Sequence, residues 1–272
     1  MRRCIVIELL AGALLLLSVV PAGAQGVRLR LATTTSTQDS GLLPIINPPF
    51  ERLTGITVDV IAVGTGKAIK LGENGDVDVL LVHDRKAEDR FVAQGFGINR
   101  RDVMHNDFVI VGPPADPAGL SAASSAADAF ARIAKSGTPF VSRGDASGTN
   151  AKELELWAAG SVKPAGNWYK EVGQGMGEVL TMSDNLQAYT LSDRGTWIAM
   201  QDKLPRLRIL YQGDPGLFNP YGVIAVNPQK HPEVNYLAAM QYIAWLTSVQ
   251  GQNVIRGYTM GGQRLFSPDA VK

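Results

Sequence analysis

The sequence predicts an α/β fold with mostly parallel sheets. Short β-like runs alternate with longer helical runs along most of the chain. Glycine often follows a predicted helix, where a C-terminal cap is expected. These glycines are Gly55, Gly72, Gly95, Gly137 and Gly160. The composition, with 45% hydrophobic and 19% charged residues, is typical of a globular protein and excludes a disordered or collagen-like chain.

Each predicted strand is a run of β-branched and aliphatic residues bounded by turn residues. The strands are predicted at Val27–Ala32, Thr57–Ala62, Val77–Val82, Asp107–Gly112, Pro139–Ser142, Leu207–Tyr211 and Tyr221–Val226. Each predicted helix has a helical spacing of apolar residues. The helices are predicted at Ser40–Leu53, Lys67–Leu71, Arg85–Gln94, Ala126–Ser136, Thr149–Ala159, Gly177–Tyr189 and Glu233–Thr247. Pro48 and Pro49 make the first helix irregular.

Residues 1–24 have the features of a secretory signal peptide. A basic start precedes an apolar stretch over residues 4–20 and a small-residue cleavage site at residues 22–24. A membrane anchor is the alternative, but the apolar stretch is short and Glu8 interrupts it. Cys4 is the only cysteine, so the cleaved chain has neither a disulfide nor a cysteine nucleophile. We therefore expect an exported protein that depends on its core for stability.

Two proline-rich stretches predict crossovers between two lobes. Residues 112–117 follow a predicted strand, and residues 214–222 lead into another. If both are hinges, residues 113–220 form lobe 2. Residues 25–112 and 221–272 then form a discontinuous lobe 1.

The charges are balanced, with 26 Lys and Arg against 25 Asp and Glu. The protein as a whole is therefore not attracted to nucleic acid or to an anionic membrane. Any anion that it binds must be attracted by a local site.

Three predicted strand-to-helix turns are rich in hydrogen-bond donors. Residues 33–37 are five consecutive hydroxyl residues, and Gly64-Thr65-Gly66 gives close backbone access before a helix. Residues 142–149 add hydroxyls, glycines and Arg143, whose planar guanidinium suits an oxyanion. Taken singly, each segment is also compatible with an ordinary helix cap or tight turn. Together they indicate donors arranged around an anion.

A fourth segment covers residues 183–197. Tyr189 and Thr190 end a predicted helix there and could add hydroxyl donors. Packing and capping are the alternative explanation.

Machinery that could transform an anion is absent from the sequence pattern. His83, His105 and His231 are far apart and have no metal-ligand spacing, so we expect His83 at a strand end, His105 in a loop and His231 at the surface, each without a ligand role. No Gly-x-Ser-x-Gly motif occurs. We therefore expect a binding protein and not an enzyme, with no metal-cation ligands and no cofactor. A secreted phosphoester-processing enzyme that uses Arg143 and the hydroxyl turns is the alternative from another class.

The motifs resemble those of the periplasmic tungstate-binding proteins of ABC importers. The similarity covers nearly the whole mature chain and is most specific in the threonine run and in the Ser-Arg-Gly-Asp-x-Ser-Gly-Thr segment. The segments that carry it are residues 33–43, 63–68, 76–83, 105–113, 142–149 and 219–228.

The resemblance implies a two-lobe type II periplasmic-binding-protein fold with an interlobe ligand cleft. It also implies periplasmic localisation, a monomer, and a membrane permease and its ATPase as partners. The ligand-binding residues that it implies are Thr34, Thr35, Ser36, Thr65, Gly66, Arg143, Ser147, Gly148 and Thr149, with Tyr189 and Thr190 carried over from related molybdate binders. Asn150 departs from the family pattern, in which histidine follows the Ser-Gly-Thr.

The donor chemistry by itself indicates only a tetrahedral oxyanion, and the resemblance supplies tungstate. Tungstate is a fully deprotonated dianion at neutral pH, so its pocket needs only donors. Molybdate has nearly the same size and stays open as the ligand. Sulfate is smaller and would make stretched hydrogen bonds, and a phosphate proton would need an acceptor. We expect Asp145 to face Arg143 or a backbone amide and not to act as that acceptor.

Overall fold

The computed structural model describes residues 26–145 and 147–271. The predicted signal peptide lies outside the described residues. Over those two ranges, every helix is too short or too polar to span a bilayer.

The chain alternates strands and helices over most of its length. The strands are β1 (Arg28–Thr34), β2 (Thr57–Val63), β3 (Val79–Val82), β4 (Gly97–Gly112), β5 (Phe140–Ser142), β6 (Tyr169–Glu171), β7 (Thr190–Asp193), β8 (Arg208–Tyr211), β9 (Phe218–Val226), β10 (Thr259–Met260), β11 (Gln263–Arg264) and β12 (Ser267–Pro268). The helices are α1 (Thr35–Asp39), α2 (Leu43–Thr54), α3 (Thr65–Asn74), α4 (Arg85–Ala93), α5 (Ala126–Ser136), α6 (Gly148–Ala159), α7 (Met176–Leu186), α8 (Arg194–Met200), α9 (Tyr236–Thr247) and α10 (Val249–Gly257).

The main sheet brings the ends of three parallel strands to one edge. β1 lies between β2 and β3 and is parallel to both, with Leu31 opposite Val60 and Val79. Because parallel strands end on the same side, the segments that follow β1, β2 and β3 meet there. These segments begin α1, α3 and α4. The fold thus gathers two of the donor-rich turns and His83, which follows β3.

β9 and β4 extend this sheet as antiparallel strands, so that the path runs β12-β4-β9-β3-β1-β2. β4 pairs with β9 up to Asp107 and with β7 from Phe108 onward. The change of partner therefore lies inside β4, ahead of the predicted boundary after Gly112. The division into two lobes at 112/113 and 220/221 stays a prediction.

The segment between β4 and β9 has its own packing centre. β5 is parallel to β6 and is joined to β7 by a bridge between Phe140 and Tyr189. The rings of Phe130 and Phe140 lie 4.4 and 5.1 Å from the Trp157 ring, each edge-on. Such aromatic contacts add to the stabilisation from burial alone and join β5 to α5 and α6.

A larger cluster of buried side chains lies beneath the main sheet. It joins Leu31 and Phe50 to Trp245 on α9, and it includes Val179 of α7 and Trp197 of α8. α7 and α8 are therefore packed against the first part of the chain as well as against the middle segment. α1 lies between them and β1, which places the first donor-rich turn at this junction.

Several predicted elements differ from the observed ones. The helix predicted to reach Tyr189 ends at Leu186, and Thr190 begins β7. β4 begins at Gly97 and not at Asp107, because its first half is polar and lies partly at the surface. His105 consequently lies in a strand and not in a loop. Helices α1, α8 and α10 were not predicted, since each is short or weakly amphipathic.

The helix end expected at Gly72 and the irregularity expected at Pro48 and Pro49 also differ from what the structure has. Gly72 lies inside α3, where a Cβ would approach the Phe91 ring to 2.9 Å, and Gly75 is the left-handed cap with φ 78°. Gly72 thus serves close helix packing and not helix termination. Pro48 and Pro49 are accommodated within α2, which runs without a break to Thr54.

Candidate functional site

The first donor-rich turn begins α1. Thr34 is its N-cap, and Thr34 Oγ1 accepts from the Thr37 amide at 3.2 Å and bonds the Thr37 hydroxyl at 2.7 Å. Thr34 therefore shapes the turn. The amides of Thr35 and Ser36 belong to the first turn of the helix, where no carbonyl inside the helix can accept from them.

Arg143 reaches this turn from the end of β5. Its Nη2 donates to Thr35 Oγ1 at 3.2 Å and to Asp145 Oδ2 at 2.5 Å. The side chain is only 2% exposed. Its Nε has no hydrogen-bond partner among the described residues. A buried guanidinium N–H without an acceptor is costly, so this group is poised to bind an anion.

The second and third turns bond each other directly. Thr65, at the start of α3, accepts from the Gly148 amide at 3.1 Å. Gly64 lies against Asp145 and Ser147, since a Cβ there would be 3.4 Å from the Asp145 carbonyl oxygen and 3.9 Å from the Ser147 Cα. Gly64 thus permits the close approach that the sequence predicts. Gly66, in the first turn of α3, is exposed, and its role in the site stays a prediction.

α6 contributes the third set of donors. Ser147 is its N-cap and accepts from the Asn150 amide at 3.1 Å. Thr149 is buried, and its Oγ1 has no partner within the described part of the chain. Asp145 bonds Arg143 through Oδ2 and the Ser147 amide through Oδ1, at 3.2 Å. Asp145 thus faces a guanidinium and a backbone amide, which are the two partners expected for it.

The start of α7 is a further part of the site that the sequence reasoning missed. Its N-cap is Gly175, which supplies no side-chain cap. A Cβ on Gly175 would lie 3.9 Å from Thr35 Oγ1, so the helix begins next to the first turn. Burial and the nearby Glu178 carboxylate raise the pKa of Asp39, which lies beside this helix start. Three glycines within residues 173–177 are the sequence signal for such a close approach.

His83 was predicted to be an ordinary strand-end residue, but it lies in the site. Its Nε2 is 3.1 Å from Ser36 Oγ, and its Nδ1 is 3.0 Å from Asn219 Oδ1. Burial and the Arg143 cation lower its pKa to about 4, so the imidazole is neutral near pH 7. Its position directly after a central parallel strand could have identified it.

Tyr189 and Thr190 are not brought into this cluster. The Tyr189 hydroxyl donates to Asp116 Oδ1 at 2.9 Å and accepts from the Ala118 amide at 2.9 Å. Thr190 donates to the Val141 carbonyl at 2.8 Å. Both hydroxyls are used inside the aromatic packing centre. The assignment of these two residues to the anion site is corrected accordingly, because their donors already have internal acceptors.

The Tyr189→Phe variant is expected to lose stability and keep anion affinity. Removing the hydroxyl leaves the part-buried Ala118 amide without its acceptor, at a cost of about 1 to 3 kcal/mol in the free energy of unfolding. Urea unfolding measures the loss, and anion titration of the same sample measures the affinity. A weakened affinity at full stability would return Tyr189 to the site.

Asp193 is a buried carboxylate next to the cluster. Its Oδ1 caps α8 by accepting from the Thr196 amide at 2.8 Å, and its Oδ2 has no partner in the described ranges. Burial raises its pKa to about 6, although the Thr196 hydrogen bonds and the Arg143 cation act against the rise. The folded state therefore binds this proton more tightly than the unfolded chain does.

Protonation of the Asp193 carboxylate should make the fold more stable as the pH falls. The stabilisation from Asp193 is absent above about pH 6 and complete below the ordinary value of 3.8. Asp193→Asn keeps an oxygen to cap α8 and removes the titration. Between pH 7 and pH 4 we expect the wild type to gain about 2 to 3 kcal/mol relative to this variant in the free energy of unfolding. Parallel pH profiles for the two proteins would refute the assignment.

The cluster is suited to hold an anion. Its side chains are hydroxyls, a guanidinium, a neutral imidazole and the Asp145 carboxylate that pairs with the guanidinium, and helix-start amides add main-chain donors. No group of three or more His, Cys, Asp or Glu side chains within residues 26–145 and 147–271 is arranged to hold a metal ion. The arrangement matches a receptor for an oxyanion.

Known proteins share this architecture over most of the chain. The model of the PBP superfamily domain matches residues 19–250. The tungstate-binding protein TupA of Peptoclostridium acidaminophilum is 47% identical over 246 residues, which cover 89% of this chain and 86% of that protein.

Two solved structures agree with this match. The tungstate ABC transporter structure from Geobacter sulfurreducens has 58% identity and a TM-score of 0.79, covering 85% of this chain and 98% of that one. The tungstate-binding protein TupA from Desulfovibrio alaskensis G20 has 44% identity and a TM-score of 0.75, covering 90% and 99%. The predicted α/β periplasmic-binding-protein fold is confirmed, and the chain belongs to the PBP superfamily, in the family of the tungstate-binding proteins.

Proposed function

We propose that this protein captures tungstate between its three donor-rich turns and delivers it to an ABC transporter in the membrane. The observation that carries the proposal is a pair of buried donors without acceptors, Arg143 Nε and Thr149 Oγ1. Both lie in the third turn, and the first turn adds the amides of Thr35 and Ser36, which have no acceptor inside α1. A tetrahedral dianion would supply the missing acceptors, and each charge-assisted bond would contribute about 1.5 to 3 kcal/mol.

The family relationship supports tungstate over the other oxyanions. The relatives with tungstate in their names are between 39% and 58% identical to this chain. Tungstate carries no proton near neutral pH, which suits a set of donors. Both oxygens of Asp145 bond groups of the protein, namely the Arg143 guanidinium and the Ser147 amide, so this carboxylate serves as an internal partner in the site. Molybdate is the nearest alternative ligand.

We further propose that binding closes two lobes around the anion. Many contacts join predicted lobe 1 to predicted lobe 2 in the present form, and three of them involve residues that directly follow β1, β2 or β3 or lie near those strand ends. These three are Thr35 with Arg143 at 3.2 Å, Thr65 with Gly148 at 3.1 Å, and Lys86 with Glu155 at 2.5 Å. The first two belong to the site itself, so an anion that contacts both lobes would favour this closed arrangement.

The transport role fixes the other parts of the proposal. An exported, monomeric protein in the periplasm would present the closed, loaded form to a permease that is powered by an ATPase. It would need no cofactor and would catalyse no reaction. The balanced net charge of +1 supports this assignment, because it gives no general attraction to nucleic acid.

Isothermal titration calorimetry of the mature protein tests the proposal. We expect tight one-to-one binding of tungstate that sulfate and phosphate do not displace, while the rank of molybdate gives the selectivity. Strong competition by phosphate would instead show that the site contains an acceptor for the phosphate proton. Absence of heat with all four anions would refute the proposal. Turnover of a generic phosphoester would favour the enzyme alternative.

A further inference from the structure

We propose that His83 is a positioning residue for anion binding, which holds the Ser36 hydroxyl and ties the first turn to the strands β4 and β9. This inference rests on the proposed function and goes beyond it, because it assigns Ser36 a different role. Ser36 would present its main-chain N–H to the anion, while its hydroxyl hydrogen is committed to the imidazole.

The direction of the hydrogen bonds follows from the acceptors around the ring. Asn219 Nδ2 donates to Asn106 Oδ1, so the Asn219 side-chain oxygen, which can only accept, faces Nδ1 at 3.0 Å. Nδ1 therefore carries the hydrogen in the neutral ring. Nε2 is left as an acceptor, and Ser36 Oγ, 3.1 Å away, donates to it. Because Ser36 has a single hydroxyl hydrogen, its contact with Thr34 Oγ1 at 3.0 Å is then one in which Thr34 donates and Ser36 accepts.

The ring is held rigidly in this orientation. Its plane lies over the Tyr221 ring, with 4.7 Å between the ring centroids. Gly148 packs so closely against His83 that a Cβ at this position would lie 2.9 Å from ring atoms Cε1 and Nδ1, which leaves no room for a side chain. Since the imidazole is 5% exposed and neutral near pH 7, water does not compete for the Ser36 hydroxyl.

A chain of hydrogen bonds continues from His83 to the long antiparallel strands. Nδ1 donates to Asn219 Oδ1 at 3.0 Å, and Asn219 Nδ2 donates to Asn106 Oδ1 at 2.7 Å. Asn219 lies on β9 and is paired with Asn106 on β4, and both side chains are buried. These are the strands that connect the two predicted lobes. The first donor turn is thereby fixed to the region about which closure would occur.

The variants His83→Asn and His83→Gln distinguish the role of ring atom Nδ1 from that of Nε2, because the amide of each variant takes the place of one of these nitrogens. His83→Asn places its amide near the Nδ1 position, which keeps the bond to Asn219 and loses the acceptor for Ser36. His83→Gln extends its amide toward the Nε2 position, where its oxygen accepts from Ser36. We expect His83→Asn to weaken tungstate binding by about tenfold, and His83→Gln to restore most of that affinity. Loss of the turn geometry should also lower the preference for tungstate over sulfate in the Asn variant.

The double variant with Ser36→Ala gives the decisive comparison. If Ser36 acts through its main-chain N–H and its hydroxyl only anchors the turn, Ser36→Ala and His83→Asn weaken binding to a similar extent, and the double variant is no weaker than either. Additive losses would show that the Ser36 hydroxyl binds the anion itself, which would overturn the inference. Thermal unfolding identifies a purely structural role, in which both His83 variants lose stability equally and keep the affinity of the wild type.

The experiment separates failure of this inference from failure of the proposed function. Titration of the unsubstituted protein with tungstate comes first, and absence of heat overturns both. Normal binding by the wild type together with wild-type affinity in His83→Asn overturns the positioning role alone.

Discussion

Replacing Arg143 with alanine is expected to weaken tungstate binding at least tenfold, or about 1.4 kcal/mol in binding free energy. The guanidinium is buried at 2% exposure, and its Nε is without an acceptor in the described ranges, so a bound anion would receive a charge-assisted bond in place of water. The substitution also leaves Asp145 Oδ2 without the partner that it has at 2.5 Å. An uncompensated carboxylate beside the site would repel the anion, which adds to the loss. Isothermal titration calorimetry measures the change.

Two further variants make the result for Arg143 specific. Arg143→Lys keeps the positive charge but not the planar set of donors, so its affinity should lie between those of the wild type and the alanine variant. Arg28→Ala is the matched control, because Arg28 also pairs with an aspartate but its side chain is 63% exposed and distant in the sheet, at the start of β1. Unchanged affinity in Arg143→Ala, with a normal unfolding temperature, would remove Arg143 from the ligand set.

The pattern of strand ends made much of this site predictable. The threonine run, Gly64-Thr65-Gly66 and the Arg143 segment each follow an apolar run and precede a helical one, and parallel pairing brings two of them to one edge. The α/β class followed from the same alternation. The antiparallel pairing of β9 with β3 and β4 has no comparable local signal, because these partners are set by long-range packing.

The site predictions failed for residue types that can serve either as ligand-binding groups or as structural hydrogen-bonding groups. A tyrosine hydroxyl next to a helix end suits a ligand and suits a buried acceptor equally well, and Asp116 takes the hydroxyl of Tyr189. His83 was assigned no role because it has no metal-ligand spacing to another histidine. Its partner Asn219 is 136 residues away in sequence, so the bond between them could not be found by spacing.

Gly148→Ala is expected to weaken tungstate binding at least a hundredfold, or roughly 2.8 kcal/mol. A Cβ at this position would lie 2.9 Å from His83 Cε1 and Nδ1 and 3.0 Å from the His83 carbonyl oxygen. Neither group can retreat, since the carbonyl is backbone and the ring is bonded to Ser36 and Asn219. α6 would have to withdraw from the first part of the chain. The hydrogen bond from the Gly148 amide to Thr65 would then be lost. The contact between Arg143 and Thr35 would open as well, so these two residues could no longer bind the anion together.

The contact blocked by this methyl group lies between the predicted lobes, so each lobe should still fold. We therefore expect a normal unfolding transition for Gly148→Ala without ligand. Small-angle scattering should show no contraction on addition of tungstate, in contrast to the wild type. Gly257→Ala is the matched control, because Gly257 ends α10 and a Cβ there meets no atom within 4 Å. It should bind and contract like the wild type. Wild-type affinity in Gly148→Ala would mean that the anion is held by one lobe alone, since the substitution excludes the closed contact on which binding by both lobes depends.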